Sequence, residues 1–364
     1  MTLPRSRAVA FFAAGLLVLP LAGCGQAIGA TYVPPEEPAV AGSFAGSGSS
    51  AMSKAMEVWT EAYMADNPDV EVTYDSIGSG GGREEFLAGK VAFGGSDAAL
   101  SEEELEASAE VCAGGNGIDL PVYVSPISVA FNLEGIDRLN LRPGVIARIF
   151  TGEITRWNDG AITADNPDLS LPDLAITPVH REDDSGTTHN FTDYLFKVVP
   201  GEWPHEADGV WPLDGGVAAP QNEGVTEFVR QNVGAVTYAD ASRTGDLGNA
   251  ALLVGNEFVA FTPEAAAAAI DVSPLIEGRT KHDLAYDIDR KTTESFAYPM
   301  VLVAYVMVCS RYTDESTGRF VKSFLTYIAS PEGQQRAADE AGSAPVSDFV
   351  QRSVEEAAES IYLG

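Results

Sequence analysis

Three times in this chain an apolar run gives way to a short turn of glycine, serine and threonine, and a helical pattern follows. The turns are AGSGSS (Ala45 to Ser50), IGSGGG (Ile77 to Gly82) and DDSGTT (Asp183 to Thr188). Strands that turn repeatedly into helices restrict the chain to α/β architecture, with mostly parallel sheets expected. The flanking patterns agree. Met52, Met56, Trp59 and Tyr63 fall on one helical face that Asn67 and Pro68 stop, and Val70, Val72 and Tyr74 then alternate as a strand. REEFLAGK, residues 83–90, reads as a short helix after the second turn. Ser101 to Glu104 has capping-box form, and Pro121 to Asn132 reads as one long strand or two joined strands. Ile176 to Val179 leads into the third turn, after which Phe191, Tyr194, Leu195 and Val198 mark a helical face. Thr262-Pro263 and Ser330-Pro331 are helix starts. A second long apolar strand, Tyr298 to Val308, is too short for a membrane helix and reads as the return of the chain into its first lobe.

With 364 residues, 45% of them hydrophobic, the chain can bury a large core and divides most naturally into two lobes. Its 53 acidic residues against 22 basic ones give a formal charge of −31, which excludes recognition of nucleic acid or anionic membrane by a basic surface. A small anion is not excluded, because surface charge is screened beyond roughly 8 Å and oriented N–H dipoles act locally. Residues 1–23 have the form of a signal peptide, with Arg5 and Arg7 ahead of an apolar stretch, Ala8 to Leu19. They end in Leu21-Ala22-Gly23-Cys24, which resembles the lipobox of bacterial lipoproteins, so Cys24 is the expected site of lipidation and residues 24–42 a flexible tether. The remaining cysteines, Cys112 and Cys309, either form a disulfide, as an oxidising compartment favours, or stay as two buried thiols.

The three turns are suited to an anion. A helix N-terminus leaves N–H groups without intrahelical partners and carries about half a positive charge, while glycine permits close approach and serine or threonine adds a hydroxyl. Arg181, near the third turn, can offer a guanidinium to oxyanion oxygens. Asp97, in FGGSDAAL, then selects the ligand. A carboxylate about 3 Å from a fully deprotonated anion is repelled by roughly 5 kcal/mol at an effective dielectric near 20, whereas a charge-assisted hydrogen bond from a protonated one returns roughly 1.5 to 3. Phosphate carries such a proton near neutral pH and sulfate does not. A secreted adhesion or signalling module that keeps the fold without transport is one alternative, and two further rivals stand beside this reading. One is another tetrahedral oxyanion, sulfate or molybdate; the other is a secreted serine hydrolase or phosphatase with Ser185 as nucleophile and His189 and Asp183 beside it, although no Gly-x-Ser-x-Gly elbow is present. His180, His189, His205 and His282 have no metal-ligand spacing, and no metal or cofactor is expected.

In order and spacing, AGSGSS, IGSGGG, FGGSDAAL and HREDDSGTT behind a lipobox resemble the PstS-type phosphate-binding proteins of bacterial phosphate ABC transporters. The resemblance covers about residue 43 to the C-terminus. It implies a two-lobed, type II periplasmic-binding fold with a two-stranded hinge, lobe 1 being residues 43–126 and 300–364 and lobe 2 residues 127–299, with crossings near Tyr123 to Ser128 and Tyr298 to Val303. It implies no enzymatic activity, inorganic phosphate as ligand, ABC permease subunits as partners, and an extracytoplasmic, lipid-anchored monomer. The phosphate-binding residues it implies are Ser49, Ser50, Ala51, Ser79, Asp97, Arg181, Ser185, Gly186 and Thr187, with Asp183 orienting the guanidinium. Two positions depart from the family pattern: Ser50 and Ala51 stand where threonine and a bulky apolar residue are usual, and Asp184 stands where glycine is common.

Overall fold

The computed structural model of the chain describes residues 39–364, so the expected signal peptide, Cys24 and the expected tether up to residue 38 lie outside the described residues. From the N-terminus the chain forms β1 (Gly42–Gly48), α1 (Ser53–Asp66), β2 (Val70–Ser76), α2 (Ser79–Leu87), β3 (Phe93–Ser96), α3 (Glu102–Val111) and the long β4 (Gly117–Phe131). A second group follows: β5 (Arg138–Leu141), α4 (Pro143–Phe150), α5 (Gly160–Asp165), β6 (Thr177–Arg181), α6 (Gly186–Val198), β7 (Val217–Ala219), α7 (Gln221–Gln231), β8 (Ala235–Asp240), β9 (Gly248–Val254), β10 (Glu257–Val259) and α8 (Pro263–Asp271). The chain returns through β11 (Val301–Cys309) and β12 (Arg311–Tyr312) and ends in α9 (Glu315–Ala329), α10 (Pro331–Ala341), α11 (Asp348–Ser360) and β13 (Tyr362–Leu363).

One curled sheet runs in the order β2-β1-β3-β11-β4-β8-β6-β7, and β9 joins it through β4. β4 belongs to both halves: Gly117 to Pro126 pair with β11, and Ile127 to Phe131 pair with β8. All of its residues are buried, so its sequence shows no alternation of apolar and polar faces, and its polar members Asp119, Ser125 and Ser128 are buried with the rest. The first half carries β1 to β3 and packs α1 against α10, with Met52, Met56, Trp59 and Tyr63 all buried. The second half carries β5 to β8 and the helices between them. Each half has its own aromatic cluster. Phe44 stacks on Phe320 at 4.1 Å in the first, and Phe191 stacks on Tyr238 at 4.2 Å in the second.

The expected helix starts are present. Ser101 and Glu104 form a capping box, and Thr262 and Ser330 accept hydrogen bonds from first-turn amides; Ser185, read from sequence as a ligand-binding residue, caps its helix in the same way. The sheet is mixed rather than mostly parallel: β11 runs antiparallel to β3 and β4, and β4 antiparallel to β8 and β9. The reason is topological, since a strand leaving one half and a strand returning to it must run in opposite directions when they lie side by side. Cys112, at the end of α3, is disulfide-bonded to Cys309 at the end of β11, with Cα atoms 5.0 Å apart, so the thiol alternative does not hold.

Candidate functional site

β1 ends at Gly48, whose φ of +141° and whose position leave no room for a side chain: a Cβ would lie 2.0 Å from the Gly95 carbonyl oxygen. That close approach brings Ser49 beside Asp97, which follows β3. The Ser49 hydroxyl donates to Asp97 Oδ1, and Ser49 Oγ accepts the Ala51 amide at 3.1 Å. The second turn is not a loop ahead of a helix. Ser79 and the three glycines after it are the first turn of α2, four residues earlier than the Arg83 start expected; glycine's helical cost is met by packing that admits no side chain, since a Cβ at Gly82 would lie 2.5 Å from Gly48 Cα. Ser79 Oγ accepts the Asp97 amide at 3.1 Å, holding α2 against the end of β3.

The third turn approaches from the other half. Ser185 caps α6 by accepting the Thr188 amide at 3.1 Å, and Thr188 shares a 2.8 Å hydrogen bond with the Tyr238 hydroxyl. Gly186 is seated directly against the first half; a Cβ there would lie 2.4 Å from Ser79 Oγ and 2.6 Å from Asp97 Cβ. Thr187 Oγ1 lies 3.5 Å from Asp97 Oδ2. Arg181, at the end of β6, is buried at 2% exposure. Its Nε donates to Asp183 Oδ1 at 2.8 Å and its Nη2 to Asp183 Oδ2, with Nη2 also 3.3 Å from Ser50 Oγ. Nη1 is buried and has no partner among the described residues, so the guanidinium has an unused donor inside the site.

Ser49, Ser50, Ala51, Ser79, Asp97, Arg181, Ser185, Gly186 and Thr187 are therefore gathered in one buried place, with Asp183 half-buried at its edge. Burial pushes the Asp97 carboxyl up to about 7; the Ser49 hydrogen bond opposes this, the nearby Asp240 adds to it, and Arg181 and Thr187 oppose it. Burial also works against ionised Asp183, but the Arg181 hydrogen bond and charge and the Gln221 amide win and hold it below the usual carboxylate range. Asp184 stands apart from these groups. Its carboxylate spans the gap to Arg83 of α2 at 3.3 Å, and Arg83 is also held by Glu104 at 2.9 Å.

Serine hydrolase geometry is not assembled. Ser185 Oγ serves the helix cap, Asp183 is held by Arg181, and burial pushes the His189 imidazole below its usual range, with Asp193 opposing and Arg290 and Arg83 adding to the shift. A cleft of about 770 Å³ borders Asp97 and Asn190, but its arginines are already engaged, Arg279 by Asp119 and Asp283 and Arg290 by Asp193.

Sequence reasoning missed three supporting residues. Asn190 donates to the Asp97 carbonyl at 2.7 Å and to the Gly186 carbonyl at 2.9 Å, tying the two halves together. Tyr238 receives the Arg181 amide at 3.3 Å. Asn222, near the start of α7, places its amide nitrogen 3.1 Å from Ser50 Oγ. This last is a fourth strand-turn-helix junction. It lacks glycine and serine, and Pro220 immediately before the helix is the signal that could have found it.

The profile of the PBP superfamily domain matches residues 33–332. The chain is 33% identical to the phosphate-binding protein PstS 3 of Mycobacterium leprae, over 97% of this chain and 98% of that protein. It is 35% identical to PstS 2 of Mycobacterium tuberculosis, over 86% of each. In fold it is similar to a phosphate-binding protein from Stenotrophomonas maltophilia, with a TM-score of 0.63 and 19% identity over 86% of this chain and 93% of that one. With that span and that identity, the chain belongs to the PBP superfamily as a PstS-type phosphate-binding protein.

Proposed function

We propose that this chain captures inorganic phosphate outside the cytoplasm and hands it to the permease of an ABC transporter, tethered to the membrane by a lipid on Cys24 and acting as a monomer. The observation that carries the reading is the juxtaposition of an acceptor and a donor in one buried site. Asp97 comes from one half of the sheet and the free Nη1 of Arg181 from the other, with the N-terminus of α6 between them. In this reading Ser50, Ser79, Ser185, Gly186 and Thr187 supply hydroxyl and amide donors, Arg181 supplies charge, and Asp97 receives the ligand's proton. Ser49 and Asp183 orient Asp97 and Arg181 respectively. Lobe 1 is residues 43–126 with 300–364 and lobe 2 is residues 127–299. The change of β4 from pairing with β11 to pairing with β8 at Ile127 supports that division. Phosphate docks on one lobe, and bending of β4 and β11 shuts the other over it.

Calorimetric titration of the wild type and Asp97→Asn with phosphate and with sulfate tests the reading. The wild type is expected to prefer phosphate, and the variant to lose most of that preference. Preferential binding of sulfate by the wild type would overturn it. Scattering curves that do not tighten on adding phosphate would overturn the closure step.

A further inference from the structure

We propose that Asn222 is a specificity-determining residue of the phosphate site, because it fixes Ser50 as a hydrogen-bond donor and so leaves Asp97 as the acceptor for the ligand's proton. The inference rests on the phosphate-binding reading above and adds a residue to it.

Asn222 is fully buried, and its orientation is set from behind: its Oδ1 accepts the Asp240 amide at 2.9 Å, which only an oxygen can do. The amide nitrogen must then face the site. It lies 3.1 Å from Ser50 Oγ and 3.4 Å from Thr187 Oγ1. Ser50 Oγ also receives the Asn222 backbone amide at 3.3 Å and Arg181 Nη2 at 3.3 Å. A hydroxyl oxygen has two lone pairs, and three donors compete for them, the Asn222 side-chain nitrogen at the shortest distance while Arg181 Nη2 is shared with Asp183, so the oxygen is saturated and has only its proton to offer. Among the described residues that proton has no protein acceptor. Ser50 is therefore bound to donate to whatever occupies the site, and cannot accept a second ligand proton. Asn222 reaches the ligand's chemistry through Ser50, which makes it a positioning residue.

The chemical consequence is a site that counts protons. A phosphate with one proton satisfies the donors with bare oxygens and meets Asp97 with its hydroxyl; a ligand needing a second acceptor finds none at Ser50.

The test uses the full chain and inorganic phosphate. Asn222→Asp keeps an oxygen toward the Asp240 amide but turns the inward group into an acceptor, which Ser50 would then satisfy at the ligand's expense. Phosphate affinity is expected to fall about tenfold to a hundredfold at about pH 8 and to recover as the pH falls and the new carboxyl is protonated. A wild-type affinity, or an equal loss at every pH, would overturn the proposal. If Asn222→Asp does not fold, Ser50→Ala and Asn222→Ala, alone and combined, decide the matter. The combined loss is expected to be close to that of Ser50→Ala alone, and fully additive losses would overturn it. Failure of the wild type itself to bind phosphate would instead refute the underlying function, so the two failures are distinguishable.

Discussion

At Asp97 the same burial that shapes the site also governs the proton on which discrimination depends. With its carboxyl pushed up to about 7, it is neutral in acid and ionised in base. Neutral Asp97 can donate to a bare oxyanion, and ionised Asp97 repels one. Sulfate affinity is therefore expected to fall as the pH rises through about 7, by up to about tenfold per unit, while phosphate affinity changes less; titrations across that range check it. The sign for stability follows from the same shift. Because the folded value lies above the ordinary carboxylate value, ionisation between the two opposes folding, and the penalty is complete above about 7. Without ligand, Asp97→Asn is thus expected to raise the melting temperature by a few degrees at about pH 8 and to leave it little changed at about pH 3. Arg181→Lys removes the forked grip of Nε and Nη2 on Asp183 along with the free Nη1. Phosphate affinity is expected to drop about tenfold to a hundredfold, measured by the same titrations.

Among the elements, α6 shows how strand and helix ends become a binding device. Its first residue touches the opposite half so closely that only glycine fits, and Gly186→Ala would set a methyl against Ser79 and Asp97. Phosphate affinity is expected to fall by about tenfold or more, with the melting temperature of the ligand-free protein nearly unchanged, because the collision exists only when the halves meet. Much of this was legible beforehand. Ser185, Gly186 and Thr187 announce themselves as the glycine and hydroxyls of a turn ahead of a helix, and the buried face of α1 follows from spacing alone. Asn222 does not announce itself, since its task depends on the Asp240 amide behind it and on Ser50 far away in sequence. The direction of β11 was hidden for a similar reason, because apolar runs look alike in parallel and antiparallel surroundings. The start of α2 at Ser79 was missed because a glycine run reads as a turn, and the packing against Gly48 that makes it helical is not local.

For the molecule as a whole, the disulfide and the charge pair across the gap act on different quantities. Cys112 and Cys309 are 197 residues apart in sequence and join α3 to the end of the returning strand. Breaking the bond frees a very long loop of the unfolded chain. Cys309→Ser is expected to cost about 2–4 kcal/mol of stability by denaturant melts while leaving phosphate affinity intact in the folded fraction. Arg83 and Asp184 sit differently. The Asp184 side chain is 41% exposed, so dissolved ions can reach this pair, while the inner site is shut away from them. Raising the salt from about 0.01 M to about 1 M should weaken the pair and spare the interior contacts. The escape of bound phosphate would then quicken with ionic strength, a dependence that stopped-flow dissociation can follow and that Asp184→Gly should erase. The mouth of the cleft would thus act as a timer, set by the surrounding electrolyte, for how long the cargo is held between capture and hand-over.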